Sequence, residues 1–270
     1  MKSKILSNYH NHTYLCKHAE GKPDDYAKLA IKLGYHTIAI TDHGPLIDEI
    51  LKNFHTRRMT MQQYYDDYLP QLEEAVIGNP QIKVLKGLEI EYFKEMEDVY
   101  RKYLQDLDFL ILGEHYFHHL GRYYNVYEPM DEDALEDYTN DVIEGIESGF
   151  FKIVAHPDIF YWNYERWDEK CEACATRIIK AAIANKVILE INANGIRNSL
   201  NKNKLRQLAD GYIDYAYPTI HFWRIAKKLN APVIINDDCH YFKNLKDDAT
   251  ISAYELAEDL ELEIVDHLLK

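Results

Sequence analysis

The sequence predicts an α/β fold built on a parallel sheet, and three observations carry that expectation. Short apolar runs alternate with longer amphipathic stretches along the whole chain, no Pro/Gly/Ser linker or low-complexity tract divides it, and the polar residues that interrupt the pattern fall at the C-terminal ends of the apolar runs. The first two favour repeated β-then-α units in a single domain over residues 1–270. The third favours a parallel barrel over an open doubly wound sheet, because a barrel builds its active site from the loops that follow its strands.

Taken in order, the expected strands are ILSNYH (5–10), TIAIT (37–41), KVLKGLEI (83–90), FLILG (109–113), KIVAH (152–156), VILEIN (187–192) and PVIIND (232–237). After the first comes Pro23-Asp24-Asp25 and then YAKLAIKLG, a helix with proline near its start and Gly34 as its stop. Helical patterns follow at 61–78, 95–106, 132–148, 168–185, 219–230 and 247–260. Within them YYDDYLP (64–70) reads as an amphipathic surface and HFWRIAKKL (221–229) as a helix with buried aromatics.

Composition narrows the partners. The 270 residues hold 45 acidic and 31 basic side chains, a net charge of −14 with no basic run, which argues against a nucleic-acid partner. No segment approaches the roughly 20 apolar residues that span a bilayer, so no membrane association is expected. The opening MKSKILSNYHNHT lacks the apolar stretch of a signal peptide, which points to the cytoplasm. Four cysteines are too few for a disulfide framework in a chain of this length. Cys171 and Cys174 read as reduced thiols on one helix face, Cys16 and Cys239 as small residues filling space near a site. A homo-oligomer is compatible with all of this.

The ends of the strands carry the chemistry. They read YHNH, TDH, GLEIE, GEH, AHPD, NANGIR and NDDCH. In His10-Asn11-His12 the two-residue period of a strand sends both imidazoles to one face, where they can converge on a metal. One such pair is weak evidence, but repetition at six strand ends is strong. Mixed imidazole and carboxylate ligation suits zinc, manganese or iron. The ligands exceed what one tetrahedral ion can use, which implies two or three ions, and Glu89 has two oxygens with which to bridge a pair.

His10-x-His12, Cys16-x-His18-Ala19, Thr41-Asp42-His43, Gly87-Leu88-Glu89, His115, His156-Pro157-Asp158 and Asp238-Cys239-His240 occur in an order that resembles the polymerase and histidinol phosphatase (PHP) superfamily, most of all its stand-alone histidinol-phosphatase branch. The resemblance spans residues 10–240. It implies a distorted (β/α)7 barrel and three divalent ions: one on His10, His12, Glu89 and Asp238, a second on Glu89, His115 and His156, a third on His18, His43 and His240. Glu114, which stands where the family often has a small residue, leaves the choice among His115, His118 and His119 open.

The resemblance further implies a phosphatase acting on a small-molecule phosphate monoester, L-histidinol phosphate in histidine biosynthesis, through a hydroxide shared by the ions that Glu89 joins. Asp42 or Asp158 is a candidate proton donor to the leaving alcohol, or else a carboxylate that orients a histidine ligand. Arg197, after Asn192-Ala-Asn194-Gly195, resembles a phosphate-contacting arginine, with Asn194 beside it. Residues 114–130 read as a lid in which His118 meets the substrate. The rival readings are a nuclease or nucleotide phosphodiesterase of the same superfamily, an amidohydrolase-like deaminase or lactonase, and a metal-binding regulatory domain without chemistry.

Overall fold

Seven parallel strands form where the apolar runs lie. The computed structural model describes residues 5–53, 56–209 and 211–268. Strands β1 (Ser7–Asn8), β2 (Thr37–Ile40), β3 (Lys83–Ile90), β4 (Phe109–Leu112), β7 (Phe151–Val154), β8 (Ile188–Asn192) and β11 (Pro232–Asn236) pair side by side in that order, and a short β12 (Glu263–Ile264) pairs with β11. Two antiparallel hairpins stand apart from this sheet: β5 (Tyr116–His119) with β6 (Arg122–Asn125), and β9 (Leu205–Gln207) with β10 (Ile213–Tyr215).

The sheet curls until its first and seventh strands meet at their C-terminal ends, where the Tyr9 amide donates to Asn236 Oδ1 and the Asp237 amide to Asn8 Oδ1. There Asn11 bridges Cys239 in parallel, the His12 amide donates to the Cys239 carbonyl at 2.9 Å, and the Cys239 amide donates to the His10 carbonyl at 3.2 Å. At the opposite end β12 lies against β11 instead. The distorted (β/α)7 barrel is therefore the architecture found, closed at the end that carries the polar motifs.

The helices are α1 (Pro23–Lys32), α2 (Asp48–Leu51), α3 (Met61–Gln63), α4 (Leu69–Gly78), α5 (Glu97–Asp106), α6 (Glu132–Glu147), α7 (Glu169–Asn185), α8 (Ala193–Asn201), α9 (Ile220–Lys228) and α10 (Asp248–Asp259). Among the described residues none is long and apolar enough to cross a membrane. The helix expected over 61–78 is interrupted by a π-helical turn, Tyr64–Tyr68, where Pro70 lacks the amide that would continue the ladder. That turn buries Tyr64 and Tyr68 completely and leaves Tyr65, Asp66 and Pro70 exposed, so 64–70 is amphipathic as expected. The Tyr68 hydroxyl donates toward the carbonyls of Ile40 and Gly87 and accepts from the Asp42 amide at 3.1 Å, tying the ends of β2 and β3 together.

Alternation along the strands divides the core in two. Tyr9, Ala39, Leu85, Phe109, Ile111, Ile153, Ala155 and Ile234 fill the barrel, while Ile38, Ile40, Leu88, Ile90, Leu110 and Leu112 face the helices. Each buried Leu, Ile and Phe among these contributes about 1.5–3 kcal/mol. The apolar filling ends just below the polar strand ends, which therefore sit on a rigid floor.

Candidate metal centre

The ends of the strands deliver their side chains to one cavity of about 380 Å³, lined by His18, His43, Glu89, His115, His156, Asp238 and His240 together with asparagines and tyrosines. His10 and His12 lie behind these, wholly buried. All nine residues expected as ligands thus meet at one end of the barrel. Two of them, His156 and Asp238, have left-handed backbones at φ +33° and +46°, an unfavourable conformation for residues with a side chain and one that concentrates at functional sites.

Glu89 is the hub. Its Oε2 lies 3.0 Å from His43 Nδ1, 3.4 Å from His10 Nε2 and 3.5 Å from His12 Nε2, and its Oε1 lies 3.1 Å from His156 Nε2 and 3.7 Å from His115 Nε2. Gly113 makes room for it: a Cβ there would run into the Glu89 carboxyl group. Asp238 Oδ1 sits 3.1 Å from His12 Nε2 and 3.4 Å from His240 Nδ1. Burial opposes ionisation of Glu89, yet His10, His115 and His43 hold its pKa well below the carboxylate range. For Asp238 burial is likewise outweighed, by His10, His12 and His240.

These residues fit divalent metal. Glu89 Oε2 and Asp238 Oδ1 are buried acceptors without a hydrogen bond, an expensive state unless a cation completes them. The Nε2 atoms of His10 and His12 face each other at 3.1 Å, those of His18 and His240 at 3.0 Å. Two imidazole nitrogens bound tetrahedrally to one zinc ion lie about 3.3 Å apart. Ligand atoms gather as His10/His12/Glu89, His43/Glu89/His115, His12/His43/His240 and Cys16/His18/His240. The expected triple of His18, His43 and His240 is less tight, since His43 turns its Nδ1 to Glu89 and Cys16 stands nearer the other two. Burial pushes the Cys16 thiol up, so it is protonated beside them.

Behind the ligands stand residues that hold them. Asp42 accepts from Thr13 and from the His43 amide and lies 3.5 Å from His12 Nδ1; it is fully buried and does not line the cavity. That position suits orientation of His12 and leaves no path for proton donation to a substrate. Glu190, which sequence reasoning missed, is buried among His10 Nδ1 at 2.8 Å, the His156 amide at 3.1 Å, and the side-chain amides of Asn192 and Asn236. It fixes the His10 tautomer and leaves Nε2 free to bind. Its signal was a lone glutamate inside the apolar run VILEIN. Glu91 also went unremarked; it forms a buried bidentate pair with Arg58 and lies 3.6 Å from His115 Nδ1.

Three of the expected substrate-contact and proton-donor residues need correction. The stretch 192–197 follows the end of β8 directly, as the start of α8 with Asn192 as its cap. Arg197 on that helix pairs through Nε and Nη2 with Asp247, while Nη1 and Nη2 also donate to the carbonyls of Asp237 and Asn244, so its donors are committed inside the protein and it does not line the metal cavity. Asp158 is turned away too: its Oδ2 accepts from the Thr219 amide at 2.7 Å and Trp223 Nε1 at 3.2 Å at the start of α9. His118 is exposed on β5, its amide 2.7 Å from Asp141, and does not line the cavity. Within the segment 114–130 expected as a lid, residues 116–125 form a hairpin and Tyr127 beyond it lines the cavity; of its three histidines it is His115 that lines the cavity, since His118 is exposed and His119 is buried against Asp137. Asn194 does line the cavity, and its amide donates to Asp238 Oδ2 at 3.2 Å.

Comparison with known proteins agrees with this geometry. The family model of the PHP domain matches residues 8–194. A Shewanella piezotolerans protein named "Probable phosphatase" is 28% identical over 73% of this chain and 67% of its own length. A Deinococcus radiodurans protein named "Probable histidinol-phosphatase" is 24% identical over 87% of this chain and 86% of its own. The crystal structure of histidinol phosphate phosphatase from Lactococcus lactis, complexed with zinc, L-histidinol and phosphate, superposes with a TM-score of 0.67 at 17% identity, covering 97% of this chain and 95% of that one. A Listeria monocytogenes structure with a provisional histidinol-phosphatase name superposes at 0.72, also at 17% identity, over 91% and 99% of the two chains.

Proposed function

This chain belongs to the PHP domain family, and on that premise we propose that it is a metal-dependent phosphomonoesterase, working as one unit over residues 1–270. One observation carries the reading: nine imidazole and carboxylate groups, with Glu89 as their hub, gather beside a small cavity, and buried oxygens of Glu89 and Asp238 are left without a hydrogen bond, as a bound cation requires. Divalent ions held there, three in our reading and of zinc, manganese or iron, supply charge for the phosphate oxygens and acidify a water for attack.

The chain's own residues do the positioning. Glu190 holds His10, Asp42 steadies His12, and Glu91 stands behind His115 with Arg58 neutralising it. Asn192 and Asn194 both donate to Asp238 Oδ2, leaving Oδ1 for ligation. A cavity of about 380 Å³ suits a small monoester, and a net charge of −14 disfavours long nucleic acid, which separates this reading from a nuclease.

The narrower reading is L-histidinol phosphate as substrate, in histidine biosynthesis. It is supported by the Lactococcus lactis structure with L-histidinol and phosphate and by the name of the Deinococcus radiodurans relative. The test is phosphate release by purified protein, stripped with chelator and reloaded with zinc, manganese or iron, from L-histidinol phosphate, p-nitrophenyl phosphate and a bis-aryl phosphodiester. Metal-restored hydrolysis of monoesters is expected. Faster diester cleavage would overturn the monoesterase reading, and indifference to L-histidinol phosphate alone would overturn the narrower one.

A further inference from the structure

Hydrolysis of an alkyl phosphate ends with an alkoxide that needs a proton, and both carboxylates that the sequence offered as its source, Asp42 and Asp158, lie outside the cavity. Among the described residues lining the cavity, the imidazoles and carboxylates are committed as metal ligands, which leaves tyrosines as proton carriers. Tyr127 stands out among these. It follows β6, its amide donates to Asn125 Oδ1 at 2.8 Å, and its carbonyl accepts from Asn163. It lines the metal cavity and also the adjoining groove that holds Arg57, Arg58 and Tyr116, so it stands where the two meet.

Its hydroxyl lies 3.3 Å from that of Tyr217, which is 1% exposed, whereas Tyr127 is 43% exposed. Asn198 Nδ2 reaches the Tyr217 hydroxyl at 3.3 Å, and an amide N–H can only donate. Accepting from Asn198 leaves the Tyr217 proton able to donate to Tyr127, and in that orientation the Tyr127 proton points into the cavity.

Resting on the phosphomonoesterase reading, we propose that Tyr127 is the catalytic residue that protonates the leaving alcohol. Water adds its oxygen to phosphorus, the bond from phosphorus to the alcohol oxygen breaks with its electron pair going to that oxygen, and the oxygen takes the phenolic proton of Tyr127. The phenolate regains a proton released by the attacking water, so the balance is ester plus water to alcohol plus phosphate. A phenol is a far better proton source than water and remains protonated at neutral pH, with an ordinary pKa near 10.

The experiment compares wild type with Tyr127→Phe, both reloaded with zinc, on two esters. One is an alkyl phosphate that the wild type turns over, L-histidinol phosphate or glycerol 2-phosphate; the other is p-nitrophenyl phosphate, whose leaving group departs without a proton. We expect kcat on the alkyl ester to fall about 100-fold while the aryl ester is hardly affected, with zinc content and calorimetric affinity for inorganic phosphate unchanged. Equal loss on both esters, no loss on the alkyl ester, or loss of zinc or phosphate binding would overturn the role. A wild type that hydrolyses neither ester would instead overturn the phosphatase reading, and this inference with it.

Discussion

Two clusters of buried charge lie side by side above the barrel, and they are completed in opposite ways. Around Arg197, the carboxylates of Asp237 and Asp247 share a guanidinium, Thr250 donates to both, and Lys246 and Asn8 close the Asp237 side. Around Glu89 the ring has carboxylates and imidazoles but no guanidinium or ammonium, and acceptors on Glu89 and Asp238 end without a hydrogen bond. The first cluster carries its own cations; the second needs them from outside. Adjacent residues Asp237 and Asp238 belong one to each, so a single peptide unit separates a structural carboxylate from one that lines the candidate metal site.

The largest effect should come from opening the second cluster further. Glu89→Gln is expected to lower metal-dependent turnover by about 10³-fold, while the metal-free variant should still fold, as read from calorimetric melts, because the sheet and the apolar filling below the site do not depend on this side chain. A metal-free variant that failed to fold would erase the distinction between the clusters. Next in size, Arg197→Met strands Asp237 and Asp247, and urea unfolding should show a loss of about 3–5 kcal/mol with or without zinc, while kcat per folded molecule stays near wild type. A selective rise in KM for phosphate esters would return Arg197 to the substrate.

Asp158 sharpens the comparison, being buried with neither a cation nor a cavity. Burial raises its carboxyl from 3.8 to about 7, against the hydrogen bonds from Thr219 and Trp223. Between those values the folded protein keeps a proton that the unfolded chain has lost. The resulting stabilisation is complete below the unfolded pKa and disappears as pH rises through about 7. Asp158→Asn should therefore flatten the stability profile across this window, as read from urea melts at a series of pH values. The smallest effect is expected from His118→Ala, on the exposed hairpin face, which should leave kcat and KM unchanged.

The strands and the ligands were legible because both are local patterns. β-Branched runs of four to eight residues mark the strands, and His10-Asn11-His12 or Asp238-Cys239-His240 place ligands at fixed distances from a strand end. What stayed hidden depends on partners remote in sequence. The Arg197 guanidinium is claimed by Asp247, 50 positions later, and a guanidinium near a strand end looks the same on paper whether it faces substrate or carboxylate. Asn192 and Gly195 do form a helix cap, but the apolar run before them masks the change of period. Glu190 resembled an irregularity in a buried strand; its meaning comes from His10, 180 residues away.

The closure of the barrel has a mechanical consequence. The first and seventh strands are joined at their C-terminal ends, through Asn8 and Tyr9 against Asn236 and Asp237 and through the segments around His10, His12 and Cys239. His18 and His240, 222 positions apart, face each other at 3.0 Å. An ion shared by such a pair is a removable cross-link between the two ends of the polypeptide, and tying a loop of that length restrains the unfolded chain by on the order of 5 kcal/mol. Chelation would then act on the whole molecule as reduction acts on a disulfide, loosening the hoop at its clasp.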